Sequence, residues 1–295
     1  MQKEKNRLMN ISLPKLDSYS DNIEFQVIDM QTLFKIKIDH NLEYAHRLEF
    51  NLILIVVEGN GFHSIDFKTY QYKKGTVFFI KKGQAHSFKI NPNLKCFLLQ
   101  FSDNFLNKLV KNFVYDIFDY MRYPVNIQLD KNSLEDILNN INVLNNQFKS
   151  EVDQYKEPIL QSLLQALLLQ LKRERRKQSA NQLILKDKEK KIYHEFLDMV
   201  HTKHKYSVKV EDYARALDIS SKTLTNLLKK YTGKSTKQYL NEFLILQIKR
   251  YLHNGTYTIE QICQKLDFDE ATNLVKFFKK YEKITPREYQ LLNLF

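Results

Sequence analysis

The chain contains little cysteine and no long apolar run. Cys96 and Cys263 are the only cysteines among 295 residues, and two isolated cysteines suggest a reducing compartment without a disulfide framework or a zinc site. The longest apolar-rich stretch, residues 158–171, is too short and too often interrupted by glutamine to cross a bilayer. No apolar run follows the basic residues of the N terminus, so we expect no signal peptide. The sequence therefore predicts a soluble cytoplasmic protein.

The residue patterns of the common enzyme classes are also missing. The sequence shows no Ser/His/Asp or Cys/His nucleophile constellation, no Walker loop and no glycine-rich dinucleotide loop. We therefore predict that the protein is not an enzyme and that it needs no cofactor.

Positive charge is present in excess. The chain has 46 Lys and Arg against 34 Asp and Glu, a formal net charge of +12. Residues 186–295 hold 21 Lys and Arg and 14 Asp and Glu, so this part carries +7 and the remainder +5. Such an excess points to an anionic partner, either nucleic acid or a membrane surface. The alternative is a generally lysine-rich proteome in which the charge has no specific partner.

The front of the chain predicts a small β-barrel or β-sandwich. Short apolar or alternating segments recur between residues 23 and 101, with glycine turns about every ten residues. A barrel of this size can hold a small ligand in its mouth. His63 and His86 are candidates for such an effector pocket. The alternative for His63 and His86 is a place on the surface or at the barrel mouth without a ligand.

The middle of the chain changes to helical periodicity. Asp103 or Asn104 is a candidate cap for a first helix, Ser133 for a second, and Pro158 falls in the first turn of a strongly apolar third helix. The leucines of this third helix cover more than one stripe, so it must be buried on two sides. A second subunit or the chain's own helices would cover the second side, and we predict a homodimer. The basic run at 172–177 is expected to be a solvated helix end.

The last third contains an internal repeat. Residues 217–239 recur as residues 266–289 at an offset of 49 to 50 positions, and residues 236–252 between them predict one long helix. Each copy predicts a helix, a tight turn and a second helix with a basic outer face. Asp218 and Asp267 are the predicted turn residues, because Asp tolerates the left-handed conformation better than most residues. Two such units suit two successive turns of a DNA major groove.

The boundaries of these helices are predicted from capping residues. Ser207 is expected to start the first helix of the first copy, and Ser220 or Ser221 to cap the second; in the second copy, Thr258 or Tyr257 begins the first helix. The second helix of each copy is expected to bury an apolar face. The residues of that face are Leu224, Leu227, Leu228 and Tyr231 in the first copy and Leu274, Phe277, Phe278 and Tyr281 in the second.

Residues 192–292 resemble the double helix-turn-helix domain of AraC/XylS-type transcription regulators. The most specific stretch is Phe277-Phe278-Lys279-Lys280-Tyr281 followed by Ile284-Thr285-Pro286. The strands and turns of the front, with Glu58-Gly59-x-Gly61 and Gly83-Gln84-x-His86-Ser87, resemble the cupin-like effector domain of the same family. The sequence departs from the family pattern where Asp267 and Lys283 replace glycine.

The resemblance implies an α+β multidomain protein. Its parts would be a small cupin-like β-barrel that serves as effector domain (1–102), a helical dimerisation segment and linker (103–180), and an all-α domain of two helix-turn-helix units joined by a long helix (181–295). In cupins, histidines and a carboxylate on neighbouring strands bind a metal. The resemblance places His46 and His86 at two such histidine positions and Glu49 at the carboxylate position, so His46 and Glu49 join the candidates for the effector pocket. Leu48 stands at the place of another common histidine, so we predict no metal.

The function implied is that of a sequence-specific DNA-binding regulator, an activator controlled by a small effector. Its partners would be double-stranded DNA, RNA polymerase, the effector and a second copy of the chain. Base contacts are assigned to Lys222, Thr223, Thr225, Asn226, Thr272, Asn273 and Lys276, because Asn can pair with adenine and Lys with guanine. Phosphate contacts are assigned to Lys229, Lys230, Lys279 and Lys280.

Simpler roles exist for several of these residues, and other functions for the chain. The four phosphate-contacting lysines could be plain solvated helix ends, and Thr223 and Asn273 could have capping or surface roles. A cupin-type metalloenzyme with an accessory helical domain is one rival function. A basic protein–protein adaptor without sequence recognition is another.

Overall fold

The described residues form two compact units. The computed structural model describes residues 9–11, 25–29, 43, 45–88, 91, 93–103, 105, 115–178, 187–203, 205–253 and 257–292. One unit lies within residues 9–182 and the other within residues 183–295. Most of the helix expected after Asp103 or Asn104 lies outside the described residues. None of the helices in the described ranges combines the length and the apolar character that a bilayer crossing requires.

The front unit contains two five-stranded sheets within the described residues. The first sheet has the order β1-β3-β8-β5-β6 and the second the order β10-β7-β4-β9-β2. The strands are β1 (Met9–Ile11), β2 (Phe25–Asp29), β3 (His46–Leu48), β4 (Asn51–Glu58), β5 (Gly61–Ile65), β6 (Lys68–Tyr72), β7 (Thr76–Ile80), β8 (Ala85–Phe88), β9 (Lys95–Phe101) and β10 (Asn126–Gln128).

The second sheet is apolar on both faces, which explains the continuous apolar run of β4. Successive side chains of a strand point to opposite faces. Ile53 and Ile55 belong to the core that this sheet shares with two helices, whereas Leu52 and Leu54 belong to the core that it shares with the first sheet. A strand buried on both sides needs apolar residues at every position. The strand prediction for the front is confirmed.

The two helices that pack on this sheet are α1 (Lys131–Lys149) and α2 (Lys156–Lys177). The cap of α1 is Asp130, whose side chain accepts a hydrogen bond from the Ser133 amide at 2.8 Å. The prediction that Ser133 caps this helix is therefore wrong by three positions, since Ser133 supplies the amide and Asp130 the acceptor. Pro158 lies in the first turn of α2, as predicted.

The basic run at the end of α2 is only partly solvated. Arg173 is exposed, but Arg175 is 2 % exposed and donates to the carbonyl oxygens of Ile117 and Pro124. Its guanidinium lies 4.4 Å from the centroid of the Phe79 ring. The interpretation of the whole run as a solvated helix end is therefore wrong for Arg175, which ties α2 to the sheet.

The second unit is all-helical within the described residues, and the predicted repeat is confirmed. Its helices are α3 (Asp187–Lys203), α4 (Val210–Ala216), α5 (Ser221–Thr232), α6 (Thr236–His253), α7 (Ile259–Lys265), α8 (Ala271–Glu282) and α9 (Pro286–Leu292). The pairs α4–α5 and α7–α8 are the two helix-turn-helix copies, and α6 is the long helix between them. The predicted α+β multidomain architecture is therefore correct.

One helix start differs from the prediction. α4 begins at Val210, and the Asp212 carboxylate accepts from the Lys209 amide at 2.9 Å at this end. Ser207 therefore lies outside the helix, contrary to the prediction. Thr258 caps α7 in a capping box with Gln261, which confirms one of the two starts expected for the second copy.

Candidate nucleic-acid interface

Both helix-turn-helix copies use the same left-handed turn. Asp218 has a φ of 52° and Asp267 a φ of 60°, which confirms their prediction as turn residues. The next amide closes each turn, with Ile219 donating to Ala214 and Phe268 to Cys263, both at 3.0 Å. The second helices of the two copies, α5 and α8, therefore follow turns of the same conformation.

The start of α5 is built around Ser220. Its hydroxyl accepts from the Thr223 amide at 3.0 Å and lies 2.8 Å from the Thr223 hydroxyl. Thr225 is half-buried, with its hydroxyl 3.3 Å from that of Thr236 in α6. Thr223 therefore takes part in the helix cap, and Thr225 in the junction between α5 and α6.

The exposed stripe of α5 consists of Lys222, Asn226 and Lys229, while the predicted apolar face is buried. Among the described residues, these three side chains make no hydrogen bond or ion pair within the chain. Lys230 differs, because its ammonium lies 2.9 Å from both carboxylate oxygens of Glu189. This ion pair makes Lys230 less suited to phosphate than Lys229.

The second copy presents Thr272, Lys276, Lys279 and Lys280 to solvent, whereas Asn273 is half-buried. The Thr272 hydroxyl donates to the Glu270 carboxylate at 2.8 Å. Tyr281 is 36 % exposed, so the prediction that it packs inward is wrong. Its counterpart Tyr231 is fully buried, so the two copies differ here despite their similar sequences.

Acidic residues distinguish the beginning of α8 from that of α5. Glu270 is the cap residue of α8 but makes no side-chain capping bond, and Asp269 precedes it; both are exposed. The equivalent place before α5 is occupied by serine. Glu can accept a hydrogen bond from the cytosine amino group in a major groove. Glu270 was missed by the sequence analysis, although its position just before Ala271 at a helix start was a usable signal.

A contact between the two copies joins the segment before α4 to the turn of the second copy. The Tyr206 amide donates to the Leu266 carbonyl at 2.7 Å, and its ring stacks on Phe268 with centroids 4.1 Å apart. The Ser207 hydroxyl donates to the Asp267 carboxylate. An aspartate in this turn therefore supplies an acceptor that glycine would lack, and Ser207 serves this contact outside α4.

The histidines of the front unit lie inside the barrel. His46, His63 and His86 are all buried, so the alternative that placed His63 and His86 at the surface is wrong. The His63 Nε2 atom lies 3.1 Å from the His86 Nδ1 atom, and the His46 and His86 ring centroids are 4.2 Å apart. Glu49 is exposed.

His63 is held neutral in this cluster. The pKa of His63 is lowered to about 3, mainly by burial and to a smaller extent by repulsion from His46. Its Nδ1 atom is buried and has no hydrogen-bond partner among the described residues. Among those same residues, no group of three or more His, Cys, Asp or Glu side chains has the arrangement of a metal site.

A β-barrel and a helical pair, followed along the chain by two helix-turn-helix copies, define the class of DNA-binding transcription regulators with a separate sensor domain. Residues 28–113 match the family described as AraC-like ligand binding domain, and residues 213–291 match a family described as Helix-turn-helix domain. The chain belongs to the AraC-type transcription regulators. This family is not enzymatic, so the rival function of a cupin-type metalloenzyme is wrong.

Named relatives match the chain at low sequence identity. The transcriptional activator RhaS of Salmonella arizonae is 21% identical over 250 residues, covering 82% of this chain and 86% of the relative. The activator RhaR of Mannheimia succiniciproducens is 23% identical over 258 residues, covering 83% and 86%. The regulator YtdP of Bacillus subtilis is 26% identical over 101 residues, which are 34% of this chain but only 13% of YtdP.

A solved structure aligns with nearly the whole chain. Wild-type ToxT of Vibrio cholerae, with an unsaturated fatty acid bound, matches with a TM-score of 0.46 and 15% sequence identity. The match covers 93% of this chain and 97% of ToxT.

Proposed function

We propose that the protein is a sequence-specific transcription activator whose two helix-turn-helix copies contact successive major grooves of one DNA duplex. The observation that carries this proposal is the exposed polar stripe on the second helix of each copy, at equivalent positions after equivalent turns. The relatives RhaS and RhaR are named activators. Their naming supports activation and, with it, RNA polymerase as a partner.

The exposure of the side chains ranks the proposed contacts. Lys222 and Asn226 in α5 and Lys276 in α8 are exposed at the centre of the stripes and are our leading base contacts. The remaining proposed base contacts are those with a structural contact or partial burial: Thr223, Thr225, Thr272 and Asn273. Phosphate contacts are proposed for Lys229 and Lys279. Lys230 is left out because of its ion pair, and Lys280 because it lines a cleft together with Lys237.

Selection of bound sequences from random DNA, with the purified full-length protein, tests the proposal. We expect a bipartite motif with its two elements about 10 base pairs apart, one helical turn. Asn226→Ala should weaken recognition of one element and Lys276→Ala that of the other, each by about 1–3 kcal/mol. Lys131→Ala in the front unit is the matched control, because Lys131 is exposed but lies far in sequence from both helix-turn-helix copies. Binding without a preferred sequence would support the adaptor function instead.

We further propose that the front unit binds the effector inside the barrel, next to the buried histidines. The match of residues 28–113 to a ligand-binding family supports this location. The unpartnered Nδ1 atom of His63 is a polar anchor that a hydrogen-bonding ligand would satisfy. Glu49 is left out because it is exposed. Thermal-shift screening of small metabolites, with His63→Leu as the insensitive variant, would identify the ligand; equal shifts in both proteins would place it elsewhere.

A homodimer through α2 is the third part of the proposal. Tyr155, Ile159, Ala166 and Leu169 are exposed at spacings of four, seven and three residues, which places them on one stripe of the helix. Sedimentation of the double variant Ile159→Asp/Leu169→Asp should give a monomer. Val143→Asp on α1 is the control, since Val143 is also exposed but lies on the other helix. Unchanged sedimentation of the α2 variant would contradict dimerisation through this face.

A further inference from the structure

The DNA-binding unit contains a cleft of 670 Å³. It is bounded by the segment before α4, the N-terminal half of α6 and one flank of α8. Tyr206, Leu240, Phe277 and Tyr281 provide apolar wall, and lysines line the same space. The volume lies in the range of about 300–1,000 Å³ that is usual for small-molecule sites.

The internal repeat shows what fills the equivalent place in the first copy. The helices α3 and α6 precede the two copies and correspond at an offset of 48 residues. At this offset, three buried positions of α3 coincide with three buried positions of α6. The corresponding pairs are Phe196 and Leu244, Leu197 and Ile245, and Val200 and Ile248.

A tyrosine of the first copy is an asparagine in the second. Tyr193 packs on Tyr231 with ring centroids 4.9 Å apart, and both rings are fully buried. The corresponding residues are Asn241 and Tyr281, and the Asn241 amide donates to the Tyr281 hydroxyl at 2.7 Å. Because asparagine is much smaller than tyrosine, one face of Tyr281 stays uncovered. The cleft occupies the space that a ring fills in the first copy.

The charges of the two copies differ at the same place. In the first copy Lys230 pairs with Glu189 at 2.9 Å. The corresponding residues of the second copy are Lys280 and Lys237, two lysines that both line the cleft. Within the described residues, neither ammonium group pairs with a carboxylate. The ion pair of the first copy thus corresponds to two solvent-exposed like charges in the second, an arrangement that attracts an anion.

We propose that this cleft binds a small organic acid, with its anionic group between Lys237 and Lys280 and its flat apolar body against Phe277 and Tyr281. The other charged residues that line the cleft are Lys205, Lys209, Glu211 and Asp269, which leave an excess of two positive charges. This site is distinct from the effector site proposed in the barrel, since the match to the ligand-binding family ends at residue 113.

Titration of the full-length protein with 8-anilinonaphthalene-1-sulfonate, an aromatic sulfonate that fluoresces in apolar sites, tests the proposal. Lys237→Glu restores the charge pattern of the first copy, and Asn241→Tyr restores its ring. Each change should weaken the probe's cleft binding by at least about tenfold. Lys131→Glu, with the same change of charge in the front unit, should bind like the parent protein. Circular dichroism melting shows whether the Asn241→Tyr variant is folded, and Lys237→Glu, at an exposed position, serves if it is not.

Competition against the bound probe distinguishes an organic acid from inorganic phosphate and from the DNA backbone. We expect 2-naphthoate to displace the probe and inorganic phosphate at the same concentration to leave it bound, because phosphate has no apolar body. Displacement by phosphate as readily as by naphthoate would overturn the proposal of an organic acid. Displacement by a random-sequence DNA duplex would assign the cleft to the DNA backbone and would overturn it as well. Equal probe binding by the parent protein and both cleft variants would show that the cleft takes no such ligand.

Discussion

Replacing the two turn aspartates by glycine measures what the contact between Ser207 and Asp267 contributes. Both aspartates have positive φ, which costs a non-glycine residue about 1–2 kcal/mol. Substitution by glycine removes this cost, but the greater conformational entropy of glycine in the unfolded state offsets about 0.4–1 kcal/mol of the stabilisation. Among the described residues the Asp218 side chain makes no hydrogen bond. Asp218→Gly should therefore stabilise the first copy by about 0.5–1 kcal/mol.

Asp267→Gly removes the same strain but also the acceptor of the Ser207 hydroxyl. A hydrogen bond of this kind contributes about 1 kcal/mol, so the net change for the second copy should be close to zero. In the Ser207→Ala background this hydrogen bond is already lost. Asp267→Gly should then stabilise the second copy as much as Asp218→Gly stabilises the first.

Hydrogen exchange measures these changes copy by copy, because amide protection reports the free energy of local opening. Peptides from α4–α5 report on Asp218→Gly and peptides from α7–α8 on Asp267→Gly. If Asp267→Gly alone stabilised its copy as much as Asp218→Gly does, the Ser207 contact would contribute nothing and the reasoning would be refuted.

Three further predictions concern single side chains. The pKa of His63 is about 3 in the folded protein and about 6.5 in the unfolded chain. Between these pH values only the unfolded state binds the proton, so the free energy of unfolding should fall by about 1.4 kcal/mol per pH unit below pH 6.5. His63→Leu should reduce that slope in urea titrations. Arg175→Met should destabilise the front unit by about 2 kcal/mol, because the buried Ile117 carbonyl and the part-buried Pro124 carbonyl lose their donor. Arg173→Ala should stay within about 0.5 kcal/mol in the same denaturation assay. Lys229→Ala should reduce the salt dependence of DNA binding by about one counterion, and Lys230→Ala by clearly less; equal slopes would contradict the role given to the Lys230 ion pair.

The helical repeat was predictable because its signals are local. Apolar spacing, the turn aspartates and the caps Ser220 and Thr258 act within a few residues of themselves, and each was located from the sequence. The helix start expected at Ser207 failed for a tertiary reason. Its hydroxyl bonds Asp267, about sixty positions away, and no pattern around Ser207 records that partner.

Burial in the front unit and in α8 was harder to predict. In β5 the apolar Phe62 is 58 % exposed while the polar His63 is fully buried, because strand register decides which alternate side chains face the core. Tyr281 is exposed although Tyr231 at the same repeat position is buried. The difference lies in α6, where Asn241 replaces a tyrosine, and only alignment of the preceding helices reveals it.

Hydroxyl-radical footprinting and guanine-methylation interference, on the best site selected from random DNA, test most directly whether both copies contact DNA. We predict two major-groove contact regions about 10 base pairs apart on one face of the duplex. Asn226→Ala should remove interference in one region and Lys276→Ala in the other. A single contact region that only Asn226→Ala affects would contradict two-groove recognition.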